Sequence, residues 1–159
     1  MKCRHCKNNI MDLVIDLGCQ PPSNSYLTNI DLNKKENYFP LKIFICSSCF
    51  LVQTEDTTDK KTFFNSNYAY FSSTSTTWLD HSERYVSKVV DELKLDKNSF
   101  VLEVASNDGY LLKNFLYRNI PCLGIEPTKS TAREAIKLGL NTWVDFYSLP
   151  LAEKIAKEI

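Results

Sequence analysis

Two Cys-x2-Cys pairs constrain this chain more than any other feature. Cys3 and Cys6 form one pair, Cys46 and Cys49 the other, with residues 7–45 between them. A two-residue gap lets both thiolates of a pair turn toward one ion, and two such pairs complete a tetrahedral four-sulfur shell. Four protein ligands leave no open coordination position, so the spacing predicts a structural zinc ion on Cys3, Cys6, Cys46 and Cys49. A module of roughly 50 residues buries too little apolar surface to be secure alone, and a metal supplies what is missing. Buried free thiols or disulfides are the competing explanation, disfavoured by two matched pairs. A redox pair is disfavoured too, since such motifs open a helix after a strand and Cys3 stands at the terminus. His5 lies inside the first pair and could compete as a ligand, but four cysteines suffice. Cys19 and Cys122 read as small side chains in or near a core.

The rest of the composition narrows the field. With 43% hydrophobic and 24% charged residues, the 159-residue chain is that of a folded globular protein. Lys+Arg and Asp+Glu both number 19, so the net charge is zero. That balance offers no long-range attraction to nucleic acid or to anionic membranes. No apolar run approaches the roughly 20 residues that cross a bilayer, and no apolar stretch follows the basic N-terminus as in a signal peptide. A cytoplasmic location follows as the expectation, and reduced thiols there favour metal binding over disulfides.

Three regions are expected. Residues 1–53 form the α+β zinc-binding module, with strands at 13–18, ended by Gly18, at 39–45 and at 50–53. Residues 54–95 form an ordered aromatic connection and a helix over 76–94, capped by Ser75 or Thr76. Its apolar face carries Trp78, Tyr85, Val86, Val90 and Leu93. Residues 96–159 alternate strand and helix: strands at 100–105, 122–126 and 141–145, helices at 110–118 and 128–138, and a further helix opening at Ser148-Leu149-Pro150. That alternation predicts the first half of an α/β Rossmann-like domain, a parallel sheet with helices on both faces.

Doubly wound sheets bind ligands at the carboxyl ends of their strands. The first strand ends in Glu103-x-Ala105-Ser106-Asn107-Asp108-Gly109, a turn of small residues leading to a helix N-terminus. Glu126 and Pro127 end the second strand. Glu126 follows Glu103 at about the interval, roughly 20 residues, where an acidic side chain meets ribose hydroxyls. Asp145 and Phe146 end the third strand, where an acid and a ring could meet an adenine. A turn with one glycine suits a dinucleotide pyrophosphate poorly, so an NAD site is disfavoured relative to one for S-adenosylmethionine.

These residues resemble a known family, the sugar C-methyltransferases that act on nucleotide-linked keto-deoxysugars. The matching text is both Cys-x2-Cys pairs, Leu17-Gly18-x2-Pro21-x2-Asn24, Leu51-Val52-Gln53, Tyr68-x-Tyr70-Phe71-Ser72-Ser73, Trp78-Leu79-x-His81, the Glu103 to Leu112 turn, and Gly124-Ile125-Glu126-Pro127. The resemblance covers essentially the whole chain; Thr74 departs from it, at a position where an aromatic residue is common. It implies transfer of the methyl group of S-adenosylmethionine to a sugar carbon beside a ketone, on a nucleotide-sugar substrate. It implies cofactor contacts at Glu103, Glu126 and the 106–109 turn, and substrate contacts at Tyr68, Tyr70, Trp78 and His81. It also implies a longer protein, roughly twice this length or more, whose later part carries the deprotonating base. The catalytic residues are therefore expected beyond Ile159, and the chain itself is expected to be an inactive N-terminal fragment. The alternative is a non-enzymatic zinc module that binds a protein or nucleic-acid partner.

Overall fold

A computed structural model describes residues 1–9, 12–65 and 67–159. The chain divides into two compact units, Met1–Phe63 and Phe64–Ile159.

The first unit holds an antiparallel sheet in the order β1-β2-β3: β1 is Asp12–Gln20, β2 is Phe39–Ile45 and β3 is Val52–Thr54. Gly18 does not end β1 as expected. It sits inside the strand at φ 73°, where the register shifts between Asp16 and Cys19. The Gly18 N–H donates to Asp16 Oδ1 at 2.9 Å, so the glycine absorbs a bulge and the strand continues. Cys19 is exposed on β1 rather than in a core. A short helix, α1 (Lys60–Phe63), closes the unit, and Phe63 meets Phe39 edge to face at 5.5 Å. Among its described residues, the buried side chains of this unit are Cys3, Cys46 and Gln53.

The second unit begins with an aromatic segment and α2 (Thr76–Leu93). Ser75 caps α2 by accepting from the Trp78 N–H, and Lys94 ends it in the left-handed region at φ 53°. Of the expected apolar face, Val86 is fully buried, whereas Tyr85 and Leu93 remain exposed. A parallel sheet follows in the order β4-β5-β6: β4 is Val101–Val104, β5 Cys122–Ile125 and β6 Thr142–Trp143. The connecting helices are α3 (Lys113–Leu116) and α4 (Lys129–Lys137), and α5 (Leu149–Glu158) follows β6.

Alternation along β5 sorts the core into two layers. Leu123 and Ile125 pack with Leu151 and Ile155 of α5 and with Trp143. Cys122 turns the other way, toward a cluster of Val86, Leu112, Phe115, Ala135 and Leu140. The helix expected at 110–118 is shortened to α3. Its bonds mix three- and four-residue spacings, such as Phe115 N–H to Leu112 and Tyr117 N–H to Lys113, so a regular α-turn forms only in the middle. The strand expected at 141–145 is shortened to two residues because Asp145 folds its N–H back onto the Trp143 carbonyl at 3.1 Å. No helix among the described residues is long and apolar enough to cross a membrane.

Candidate functional site

The four cysteine sulfurs converge in the first unit, all within 4.8 Å of one another. Cys3 lies 3.6 Å from Cys49, and Cys6 lies 3.6 Å from Cys46. A tetrahedral zinc ion with 2.3 Å bonds needs sulfurs about 3.8 Å apart, so the cage fits the ion in ligand type and spacing. His5 is exposed and outside this group.

Both pairs are built alike. The Cys3 carbonyl accepts from Lys7 N–H and the Cys46 carbonyl from Phe50 N–H; the Cys3 N–H reaches Asn8 and the Cys46 N–H reaches Leu51. Lys7 and Phe50 both adopt left-handed φ, 65° and 61°, which reverses the chain after each pair. Neither reversal carries the glycine that would have announced it. The sequence reading also left Gln53 without a role at the metal. Its buried amide donates to Cys3 Sγ at 3.4 Å and accepts from the Arg4 N–H at 3.1 Å. Its place beside the second pair, in the Leu51-Val52-Gln53 motif, was the available clue. This amide, with the N–H groups of the turn, pulls the Cys3 thiol down to about 5. Backbone N–H groups of Cys49 and Ser48 lower Cys46. Cys49 receives an N–H from Leu51 that favours its thiolate, yet burial and the three neighbouring sulfurs outweigh this and push it up to about 12. Zinc binds thiolates, so metal loading releases whatever protons the four sulfurs carry.

In the second unit the ends of β4 and β5 open into a cavity of about 360 Å³. That volume is of the order used by small-molecule sites, roughly 300–1,000 Å³. Ala105, Asn107, Glu126, Pro127 and Phe146 line it, as do Tyr68 and Tyr70. Val104, Ile125, Tyr147, Phe64, Ser72 and Tyr110 complete the wall. Trp78 and His81 lie elsewhere, stacked on each other at 5.2 Å beside a separate cavity of about 190 Å³. Tyr110 borders both spaces.

The turn's single glycine understates its backbone. Ala105, Asn107 and Gly109 all have positive φ, 60°, 50° and 80°. The N–H groups of the turn are bonded within the fold: Ser106 N–H to the Ile125 carbonyl, Asn107 N–H to Glu126 and Gly109 N–H to the Ser106 carbonyl. Gly109 suits its left-handed backbone at φ 80°, where a side chain would be strained and would also crowd Leu140 Cδ1 and Ala135 Cβ. Ser106 is fully buried under Gly124. Glu126 is buried and accepts two backbone bonds, from Asn107 N–H at 2.9 Å and Thr128 N–H at 2.8 Å, which tie the turn to the start of α4. Asp108 accepts from Ser73, through its N–H at 3.0 Å and through its hydroxyl. Asp145 accepts from the Phe146 N–H at 2.7 Å.

Glu103 does not border the cavity in this arrangement. Burial, together with the charges of Glu126 and Asp108, raises its carboxyl to about 8, and one of its oxygens is buried without a partner. Three carboxyl groups therefore gather at the β4–β5 end with no basic residue hydrogen-bonded to any of them among the described contacts. Of the three, Glu126 borders the cavity.

Comparisons with known proteins fit the two units. Residues 3–64 match the family model Methyltransf_13, described as "Putative zinc binding domain". The chain is 25% identical over 155 residues to the C-methyltransferase NovU of Streptomyces niveus, a stretch that covers 98% of the chain and 37% of that relative. The chain thus spans less than half the length of the curated relative it matches, and the similarity to that C-methyltransferase runs across both units.

Proposed function

We propose that this relative of the C-methyltransferases binds S-adenosylmethionine in the 360 Å³ cavity and serves methyl transfer to a carbon of a nucleotide-linked keto-deoxysugar. The observation that carries this reading is the cavity's position. It lies at the carboxyl ends of two adjacent parallel strands, where open α/β sheets bind their ligands. The half-sheet is then the opening part of a Rossmann-like domain.

The residues present suit such a ligand. Glu126, which borders the cavity, complements a cofactor that carries a sulfonium and an ammonium. Phe146 offers a ring face to a purine. Glu126 keeps lone pairs for ribose hydroxyls beyond its two backbone bonds. When bound, the cofactor supplies an electrophilic methyl group. The zinc ion is structural, because its four sulfurs fill the coordination shell. Methylation beside a ketone also requires a base to remove a proton and a group to hold the resulting oxyanion. Tyr68, Tyr70, Trp78 and His81 are proposed to contact the nucleotide-sugar.

Calorimetric titration of the protein with S-adenosylmethionine and with S-adenosylhomocysteine tests the cofactor assignment. Saturable binding of both is expected. No heat with either at high micromolar concentration overturns it.

A further inference from the structure

The side chains of Asn107 and Asp108 hydrogen-bond to the chain at residues 70–73. Asn107 Oδ1 accepts from the Ser72 N–H at 2.9 Å, and its Nδ2 donates to the Tyr70 carbonyl at 3.1 Å. Asp108 Oδ2 accepts from both the N–H and the hydroxyl of Ser73. Two neighbouring turn residues thus make four hydrogen bonds to residues 70–73. Asn107, Asp108 and Ser72 are all buried. Buried polar bonds of this kind are costly to leave unmade, so the two segments are bound as a unit. The held segment carries Tyr70 into the cavity wall, with Tyr68 just before it. A second tie runs the other way: the Asn107 N–H holds Glu126, which also holds the start of α4.

We infer that Asn107 and Asp108 are positioning residues, which set the aromatic wall at 68–73 over the cavity floor instead of gripping the ligand with their side chains. The backbone explains why asparagine stands at 107. The position is left-handed at φ 50°, which asparagine, aspartate and glycine tolerate best. Of these, only asparagine presents an acceptor to Ser72 and a donor to Tyr70 together. This assignment deepens the proposed function by giving the wall a fixed seat on the cofactor turn, and it rests on that reading only for the identity of the ligand.

The test is residue-resolved amide hydrogen exchange on the full chain, with Asn107→Gly, Asn107→Asp and Asp108→Ala. Asn107→Gly keeps the left-handed backbone and removes the clamp. Exchange at Ser72 is expected to quicken about ten-fold or more, the effect of losing one buried hydrogen bond, while amides in β5 and α5 keep their protection. Asn107→Asp retains the acceptor and should restore protection at Ser72. Asp108→Ala should expose Ser73 in the same way, and it supplies the test if Asn107→Gly does not fold. Incorporated 3-fluorotyrosine should show the Tyr70 resonance, identified with Tyr70→Phe, shifting in Asn107→Gly. Unchanged exchange at Ser72 and Ser73 in these variants overturns the assignment. S-adenosylhomocysteine titrated into the same variants separates the two ideas. Failure to bind the wild type removes the cofactor reading and leaves the exchange result to decide the positioning role. Loss of affinity in Asn107→Gly with exchange at Ser72 unchanged would mean that Asn107 grips the ligand itself.

Discussion

The two units solve the same stability problem by different means. In Met1–Phe63 the buried groups among the described residues are two cysteines and a glutamine, and the 9-residue strand β1 is exposed along its whole length. In Phe64–Ile159, Leu112, Leu123, Ile125 and Val86 are fully buried between helices and a parallel sheet. One unit is held by a point, the other by a volume. Thiolate–zinc bonds concentrate stabilisation in four atoms, whereas apolar burial spreads it over many side chains at about 25 cal/mol per Å².

The sharpest way to break this contrast is to remove the metal. Structural zinc contributes roughly 10–16 kcal/mol of apparent binding energy, which is also folding energy. Chelation, or Cys3→Ser, should therefore collapse the amide dispersion of residues 1–63 and leave that of residues 64–159 in place. A first unit that stays dispersed after one zinc is stripped would disprove the structural role. Leu112→Ala is the reciprocal experiment. It should cost the second unit about 2–5 kcal/mol in denaturant melts without changing the zinc content.

Two smaller effects sharpen the comparison. Glu103 has a folded-state value near 8 against an ordinary 4.5, so the native state holds a proton that the unfolded chain has released. Stability of the second unit should be full below about pH 4.5, where both states are protonated, and should fall as pH rises toward 8. Glu103→Gln should flatten that slope in melts across the range; an unchanged slope would show that Glu103 is not its source. In the first unit, Gln53→Ala removes the amide that steadies Cys3. Zinc affinity should drop about 10- to 100-fold, the usual effect of deleting a residue that supports a ligand, measured by competition with a chromophoric chelator. Full retention of affinity would make Gln53 a spectator.

Much of this was legible in the residues. The metal cage could be read because two-residue spacing is a local property that any fold must respect. Strand β2 and the caps Ser75 and Ser148 were equally local. The interior of β1 was misjudged at Gly18, since glycine ends a strand or bulges it depending on the partner strand. The left-handed Lys7 and Phe50 were hidden because their conformation follows from the closed cage and not from their side chains. The aromatic residues were harder still. Tyr68 and Tyr70 reach the strand-end cavity while Trp78 and His81 stack beside another, a division that spacing along the chain does not reveal.

By itself the sequence determined the four sulfur ligands, the alternation of strands and helices after residue 96, and the acidic and small residues at the strand ends. These depend on neighbours in the chain. Only the tertiary structure decided what the side chains at those ends do. The side chains of Asn107 and Asp108 hydrogen-bond to Tyr70, Ser72 and Ser73, while Asn107 also borders the cavity. Buried polar groups must find partners, and which partner is near enough is settled by packing across more than thirty residues of chain rather than by the turn's own residues.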